Sequence, residues 1–390
     1  MRMFMLFPLL RRAARAKLGL PCLFAIASLV SGCAPPEPIR LGFLGGISGR
    51  VADLGVGGRN GAALAIDLRN QAGGINGRKV VLIVEDDQQN PEVAKQAVTR
   101  LITQKVAAII GPMTSAMAVA TVPLVNEAKL LMLSPTVTTT ALSGLDDYFL
   151  RIIEPTTAYA RKAALYHFNN QGSRRIAAAY DQRNLAYTES WLTDYRRVFE
   201  TAGGAVLKTV AFSSNETTQF GELADRLLEV QPDSVLIVAN SVDTALLAQQ
   251  LRKRSASVHI NTSEWAATER LIELGGKAVE GMVIAQFIDR DSTQPAYLAF
   301  HKAYLARFGQ EPGFAGLSAF DATNVVLDAL LGQKEGQSLK HLILTRREFA
   351  GAQAPIRFDA NGDATREVYQ TIIRNGAFVR LRCNTTASCE

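Results

Sequence analysis

The stretch Val106-Ala107-Ala108-Ile109-Ile110, followed by Ser115–Ala128 and then Leu130-Leu131-Met132-Leu133, decides the fold. Two short apolar runs flank a segment of helical length. Strands that are apolar throughout are buried on both faces, as in a parallel sheet covered by helices. The same alternation extends towards the N-terminus. Ile39–Leu44 and Val80–Val84 read as strands, Gly55–Gln71 has helical spacing, and Pro91–Gln104 reads as a helix with proline in its first turn. Beyond residue 150 the rhythm repeats. Helices are predicted at Thr157–Asn170, Tyr187–Ala202, Thr218–Val230, Val242–Arg254, Pro295–Phe308 and Leu317–Leu331. Strands are predicted at Ile176–Tyr180, Val206–Phe212, Val235–Ala239, Val258–Ile260 and Gly281–Ala285. Near the end, Asn375-Gly376 between Glu367–Arg374 and Ala377–Leu381 is a hairpin signal. The pattern predicts an α/β fold of two lobes, each with a parallel-type central sheet, and a cleft between them.

The start of the chain has a different character. Arg2, Arg11, Arg12, Arg15 and Lys17 precede an apolar run, Leu18–Val30, that ends in Val30-Ser31-Gly32-Cys33. A basic segment, a short apolar segment and small residues describe an export signal, and the ending resembles a bacterial lipobox. Residues 1–32 are therefore expected to be a lipoprotein signal peptide, with Cys33 acylated and 33–38 a stiff, proline-rich linker. The apolar run is short for a membrane span, which needs about 20 apolar residues. The expected location is the periplasm or cell envelope, tethered by lipid. The full chain is formally +6; without the five cations of the signal it is +1 over 358 residues. That near-neutral balance argues against nucleic acid as a partner. Of the four cysteines, Cys383 and Cys389 remain as either a small disulfide or two thiols near the terminus.

Catalytic and metal signatures are not legible. His167, His259, His301 and His341 are scattered at spacings that match no metal-site template, and each is expected at a surface or interface. Gly55-Val56-Gly57-Gly58-Arg59-Asn60-Gly61 departs from the dinucleotide fingerprint in spacing and in its distance from the preceding strand. It is expected to be the glycine-rich entry to a helix backing onto the cleft. Asp86-Asp87 is expected to end a strand at the cleft rim. No metal, no cofactor and no enzymatic activity are expected.

Ile39-Arg40-Leu41-Gly42-Phe43, Ser48-Gly49, Gly61-Ala62 and Ala72-Gly73-Gly74-Ile75-Asn76-Gly77 resemble the opening of type I periplasmic binding proteins. The resemblance is to the leucine/isoleucine/valine-binding branch. It continues through Glu85-Asp86-Asp87, Ile110-Gly111-Pro112, Ser134-Pro135 and Phe358-Asp359-Ala360-Asn361-Gly362-Asp363, so that it spans residues 39–382. It implies two Rossmann-like lobes joined by three crossings, closing on a ligand by a hinge motion. The implied lobes are 39–154 with 286–345, and 155–285 with 346–382, leaving 383–390 as a tail.

The resemblance also implies a site. Ser115 matches the serine that binds an α-carboxylate, and Thr136 and Thr138 match a loop supplying further polar contacts. Glu264 matches the acid that pairs with an α-ammonium. Tyr187 and Trp265 are candidate walls, and Asn240-Ser241 stands at a further pocket position. Leu54 and Leu185 replace aromatic residues of that family, and Arg183 is within reach of an acidic ligand. The implied function is capture of an amino acid, branched-chain-like or related, for the permease subunits of an ABC importer. A monomer is expected. A ligand-sensing module and a binder of amides or small aromatic carboxylates are the alternatives.

Overall fold

The computed structural model describes residues 36–382. The expected signal peptide, Cys33, Cys383 and Cys389 lie outside the described residues. The first lobe opens with β1 (Ile39–Gly45), α1 (Ala52–Gln71), β2 (Val80–Asp86), α2 (Pro91–Thr103) and β3 (Ile109–Ile110). It continues with α3 (Ser115–Ala128), β4 (Met132–Ser134) and β5 (Phe149–Arg151). These strands form one parallel sheet in the order β2-β1-β3-β4-β5. The chain then crosses to the second lobe, made of α4 (Thr156–Asn169), β6 (Arg175–Asp181), α5 (Leu185–Thr201), β7 (Ala205–Phe212) and α6 (Phe220–Leu228). Next come β8 (Ser234–Val238), α7 (Ser241–Arg254), β9 (His259–Thr262), α8 (Glu269–Gly275) and β10 (Val283–Gln286). Its sheet is also parallel, ordered β7-β6-β8-β9. The central strands carry the continuous burial expected of helix-covered parallel sheets, as in β8, where every residue is buried, whereas the edge strands β2 and β7 are partly exposed.

The chain returns to the first lobe with α9 (Pro295–Phe308), α10 (Gly313–Leu331) and α11 (Leu339–Arg346), then β11 (Glu348–Phe349), β12 (Ile356–Phe358) and β13 (Ala364–Thr365). It ends with β14 (Tyr369–Arg374) and β15 (Ala377–Arg380), an antiparallel hairpin that pairs with β10. Asn375 and Gly376, at φ 54° and 70°, make its two-residue turn; two successive positive φ angles are what Asn-Gly supplies.

Two boundaries differ from the sequence reading. The glycine run lies inside α1, not at its entry. A Cβ on Gly55 would strike the carbonyl of Gly46, and one on Gly61 the carbonyl of Gly316 on α10. The glycines let α1 press against the β1 loop and α10, at the cost of helix propensity. Residues 346–365, expected in the second lobe, are bound to the first. Asp363 pairs with Arg151 at 2.7 Å and accepts from the Gly144 amide, and the Ala352 amide donates to Asp321 on α10. The third crossing is therefore at about Arg366–Val368. There the Arg366 amide donates to Glu154 of the first crossing (3.0 Å), and its guanidinium pairs with Asp321 at 2.6 Å.

Candidate ligand-binding site

The strands of an open parallel sheet end at a crevice, and loops at their carboxyl ends are free to carry ligand contacts. Here the two crevices face each other. Ser115 opens α3 after β3, and Thr136 and Thr138 follow β4. Asn184 and Tyr187 follow β6, and Glu264 and Trp265 follow β9. Together with Leu54, Met113, Thr114, Ile153, Phe287 and Phe314 they enclose a small cavity of about 20 Å³ between the lobes. Six of the eight expected site residues thus meet in one place: Ser115, Thr136, Thr138, Tyr187, Glu264 and Trp265.

Asn240 and Ser241 do not line it. Asn240 caps α7, accepting from the Asp243 amide at 3.0 Å, and Ser241 donates to Asp53 of α1 at 2.5 Å. Leu185 is 36% exposed and away from the cavity. Arg183 is turned away, donating to the Ser214 carbonyl at 2.9 Å. Asp86 ends β2 and accepts from the Ile47 and Gln88 amides. The neighbouring Asp87 is buried, and that burial pushes its carboxyl up to about 6.

The polar groups fall into two sets. From the first lobe, the Ser115 hydroxyl accepts the Thr139 amide at 3.3 Å and keeps its own proton to donate. The hydroxyls of Thr114 and Thr138 are buried without partners, while Thr136 donates to the Met113 carbonyl at 2.7 Å. From the second lobe, Glu264 is buried. Its Oε2 accepts the indole N–H of Trp191 at 2.8 Å, and its Oε1 has no partner. Burial pushes the Glu264 carboxyl up from 4.5 to about 7, and the hydrogen bond from Trp191 only partly offsets this. The Tyr187 hydroxyl is also buried and unpartnered. Buried polar atoms without partners are uncommon in folded proteins and call for an explanation; here four of them border one cavity. No lysine or arginine is among the described residues that line it.

The remaining walls are apolar. Phe287 and Phe314 meet edge to face at 6.2 Å, as do Tyr187 and Trp265 at 5.6 Å, with Leu54, Met113 and Ile153 between. Sequence reading missed Phe287, Phe314, Met113, Ile153, Thr114 and Asn184. Phe287 follows β10 at the second crossing and Phe314 starts α10, so neither belongs to a local motif.

The lobes touch around this cavity. Arg50 pairs with Asp243 at 2.7 Å and donates to the Asn215 carbonyl at 2.8 Å. Asp53 accepts from both Ser241 and Thr268, each at 2.5 Å, and the Ala116 amide donates to Asn184 at 2.9 Å. The cleft is closed.

A family model for periplasmic binding proteins matches residues 38–377. The chain belongs to the periplasmic binding protein family. This periplasmic binding protein is 24% identical over 349 residues to a Leu/Ile/Val-binding protein, BraC3, of Rhizobium johnstonii, covering 88% of this chain and 94% of the relative. Among solved structures it superposes on a leucine-binding protein, LivK, of Thermotoga maritima with a TM-score of 0.81 and 26% identity, covering 88% of this chain and 97% of the other. A solute-binding protein from R. palustris in complex with benzoate shares the fold, with a TM-score of 0.80, 18% identity and coverage of 88% and 95%. The two parallel-sheet lobes are those of the type I periplasmic binding proteins.

Proposed function

We propose that this periplasmic binding protein captures an amino acid as its zwitterion, outside the cytoplasm, and delivers it to the permease of an ABC importer. The observation that carries this reading is Glu264. One of its buried carboxylate oxygens is unpartnered beside a cavity that no described lysine or arginine lines. A buried carboxylate is stabilised by a paired cation, and an α-ammonium supplies one. Across the cavity, Ser115, Thr114 and Thr138 present neutral hydroxyls, and the start of α3 presents the positive end of a helix dipole, both suited to an α-carboxylate. The apolar walls suit an uncharged side chain. The curated relative's name, a Leu/Ile/Val-binding protein, agrees in substrate class.

A second reading, a small aromatic acid, draws on the aromatic walls. It leaves Glu264 without a countercharge. Calorimetry with the common amino acids, their des-amino analogues and benzoate separates the two. Binding of an amino acid, lost with its des-amino analogue and weakened in Glu264→Gln, supports the first. Tighter binding of the des-amino acid or benzoate overturns it. The reading also includes a lipid anchor at Cys33, which the same preparation tests by lipid labelling.

A further inference from the structure

Trp191 stands behind Glu264 and does not line the cavity. It is fully buried on α5, and its indole N–H donates to Glu264 Oε2 at 2.8 Å, the only hydrogen bond to that side chain among the described residues. The ring is held from below. Trp191, Tyr195 and Phe199 recur every four residues on one face of α5 and stack nearly parallel, at 5.3 Å and 14°, then 5.4 Å and 19°. At the middle of the column, Tyr195 shares a 2.8 Å hydrogen bond with His167 Nδ1. His167, expected at a surface or interface, is instead fully buried in the second lobe, and that burial together with the His259 charge holds it down to about 3. The column is thus uncharged at neutral pH. A stack of rigid rings tied to a second helix fixes the direction in which the indole N–H points.

We propose that Trp191 is a positioning residue for the ligand's ammonium: its N–H occupies Glu264 Oε2 and so aims Oε1 at the cavity. The inference rests on the amino-acid reading above. A carboxylate with one oxygen committed to a fixed donor has lost its freedom to rotate, so its other oxygen meets the ammonium without a reorganisation cost. The hydrogen bond also favours the ionised carboxylate against burial. The titratable groups facing Glu264 are Tyr187 on α5 and Tyr159 on α4, and burial keeps both phenols neutral far above their ordinary range. Across the cleft, Asp53 is occupied by Ser241 and Thr268.

The test is Trp191→Phe, which keeps an aromatic ring in the column and removes only the donor and the indole's second ring. With an amino acid that wild type binds, calorimetry across pH 5–9 is expected to show affinity about 10- to 100-fold weaker at pH 7, the value of a hydrogen bond to a charged group. The acid limb of the pH profile moves upward. In a Glu264→Gln background the same change is expected to cost much less. Unchanged affinity and pH profile overturn the proposal, and so does an equal loss in both backgrounds, which would mark a purely structural role. Should wild type bind no amino acid, the amino-acid reading fails and the pairing is judged without ligand. The chain has two tryptophans, and the indole N–H resonance of Trp191 in wild type is expected to titrate with the same midpoint as the Glu264 carboxyl carbon. Independent midpoints overturn the pairing, and this measurement needs no variant to fold.

Discussion

Arg50 of the first lobe and Asp243 of the second form an ion pair across the cleft, 2.7 Å from Nη1 to Oδ1, with the Asp243 carboxylate wholly buried. Three residues after Arg50, Asp53 receives hydroxyls from Ser241 and Thr268. These contacts exist only while the lobes are closed, so they act as a latch on closure. Arg50→Ala leaves Asp243 with Asn240 as its remaining side-chain donor. The closed population is expected to fall, and apparent affinity falls with the fraction of competent protein, by roughly tenfold for ~1.4 kcal/mol. Small-angle scattering of the ligand-free variant should give a larger radius of gyration than wild type. An equal radius and an equal ligand off-rate would count against the latch.

Ligand affinity is expected to depend on pH through Glu264. Its ionised form pairs with an ammonium, and in the ligand-free protein the carboxyl titrates at about 7. Below that pH the ligand must displace a proton, so affinity falls by up to about tenfold per pH unit. Calorimetry at pH 6 in buffers of different ionisation heat should register proton release on binding. A Kd that is flat from pH 5 to 8 would exclude this role.

The same burial shapes stability. Glu264 is pushed up to about 7, and Asp87 and Asp181 to about 6, in each case mainly by burial. A carboxyl raised in the folded state contributes stability that is fully present below its ordinary value and is lost as pH rises through the folded value. The ligand-free protein should therefore lose stability between about pH 4 and 7, with Glu264 contributing on the order of 3 kcal/mol. Urea unfolding of Glu264→Gln at pH 5 and 7.5 should show a shallower loss than wild type. Matching slopes would falsify the assignment.

Arg151 is fully buried at the end of β5. Its guanidinium reaches Asp363 (2.7 Å), the Thr139 carbonyl (2.8 Å) and the Ser143 hydroxyl (2.5 Å). It ties the loop that carries Thr136 and Thr138 to the segment before the third crossing. Arg151→Met should cost about 3–5 kcal/mol, the effect of breaking a buried pair, read from the urea midpoint. Hydrogen exchange should accelerate across residues 136–143. Unaltered exchange there would mean that the loop is held by other contacts.

Cys33→Ala should abolish metabolic lipid labelling and release the protein from the membrane fraction. One acyl chain binds a bilayer only marginally, so wild type should carry more than one. Labelling of the variant equal to wild type would disprove lipidation at this position.

Much of the candidate site was legible through the family resemblance, whose motifs fall where strands end, and strand ends are local events. Ser115 after β3, Thr138 after β4 and Glu264 after β9 were each implied by that resemblance, and all three border the cavity. Asn240 was marked in the same way after β8 and proved to be a helix cap, because a strand end alone does not say whether the following side chain turns to the cleft or back to its own helix. Phe287 and Phe314 carried no signal. They are far apart in the chain, and only the second crossing and the start of α10 bring them together.

By itself, the sequence determined the α/β alternation, the parallel sheets and the Asn375-Gly376 hairpin, because strand burial, helix periodicity and turn dihedrals are short-range properties. The tertiary structure decided three other things. It placed residues 346–365 against the first lobe through Asp363 and Asp321, packed the glycines of α1 against α10, and set Trp191 behind Glu264. Each depends on how segments distant in the chain approach one another. A buried charge such as Glu264 takes its properties from those neighbours, and residue type alone does not name them.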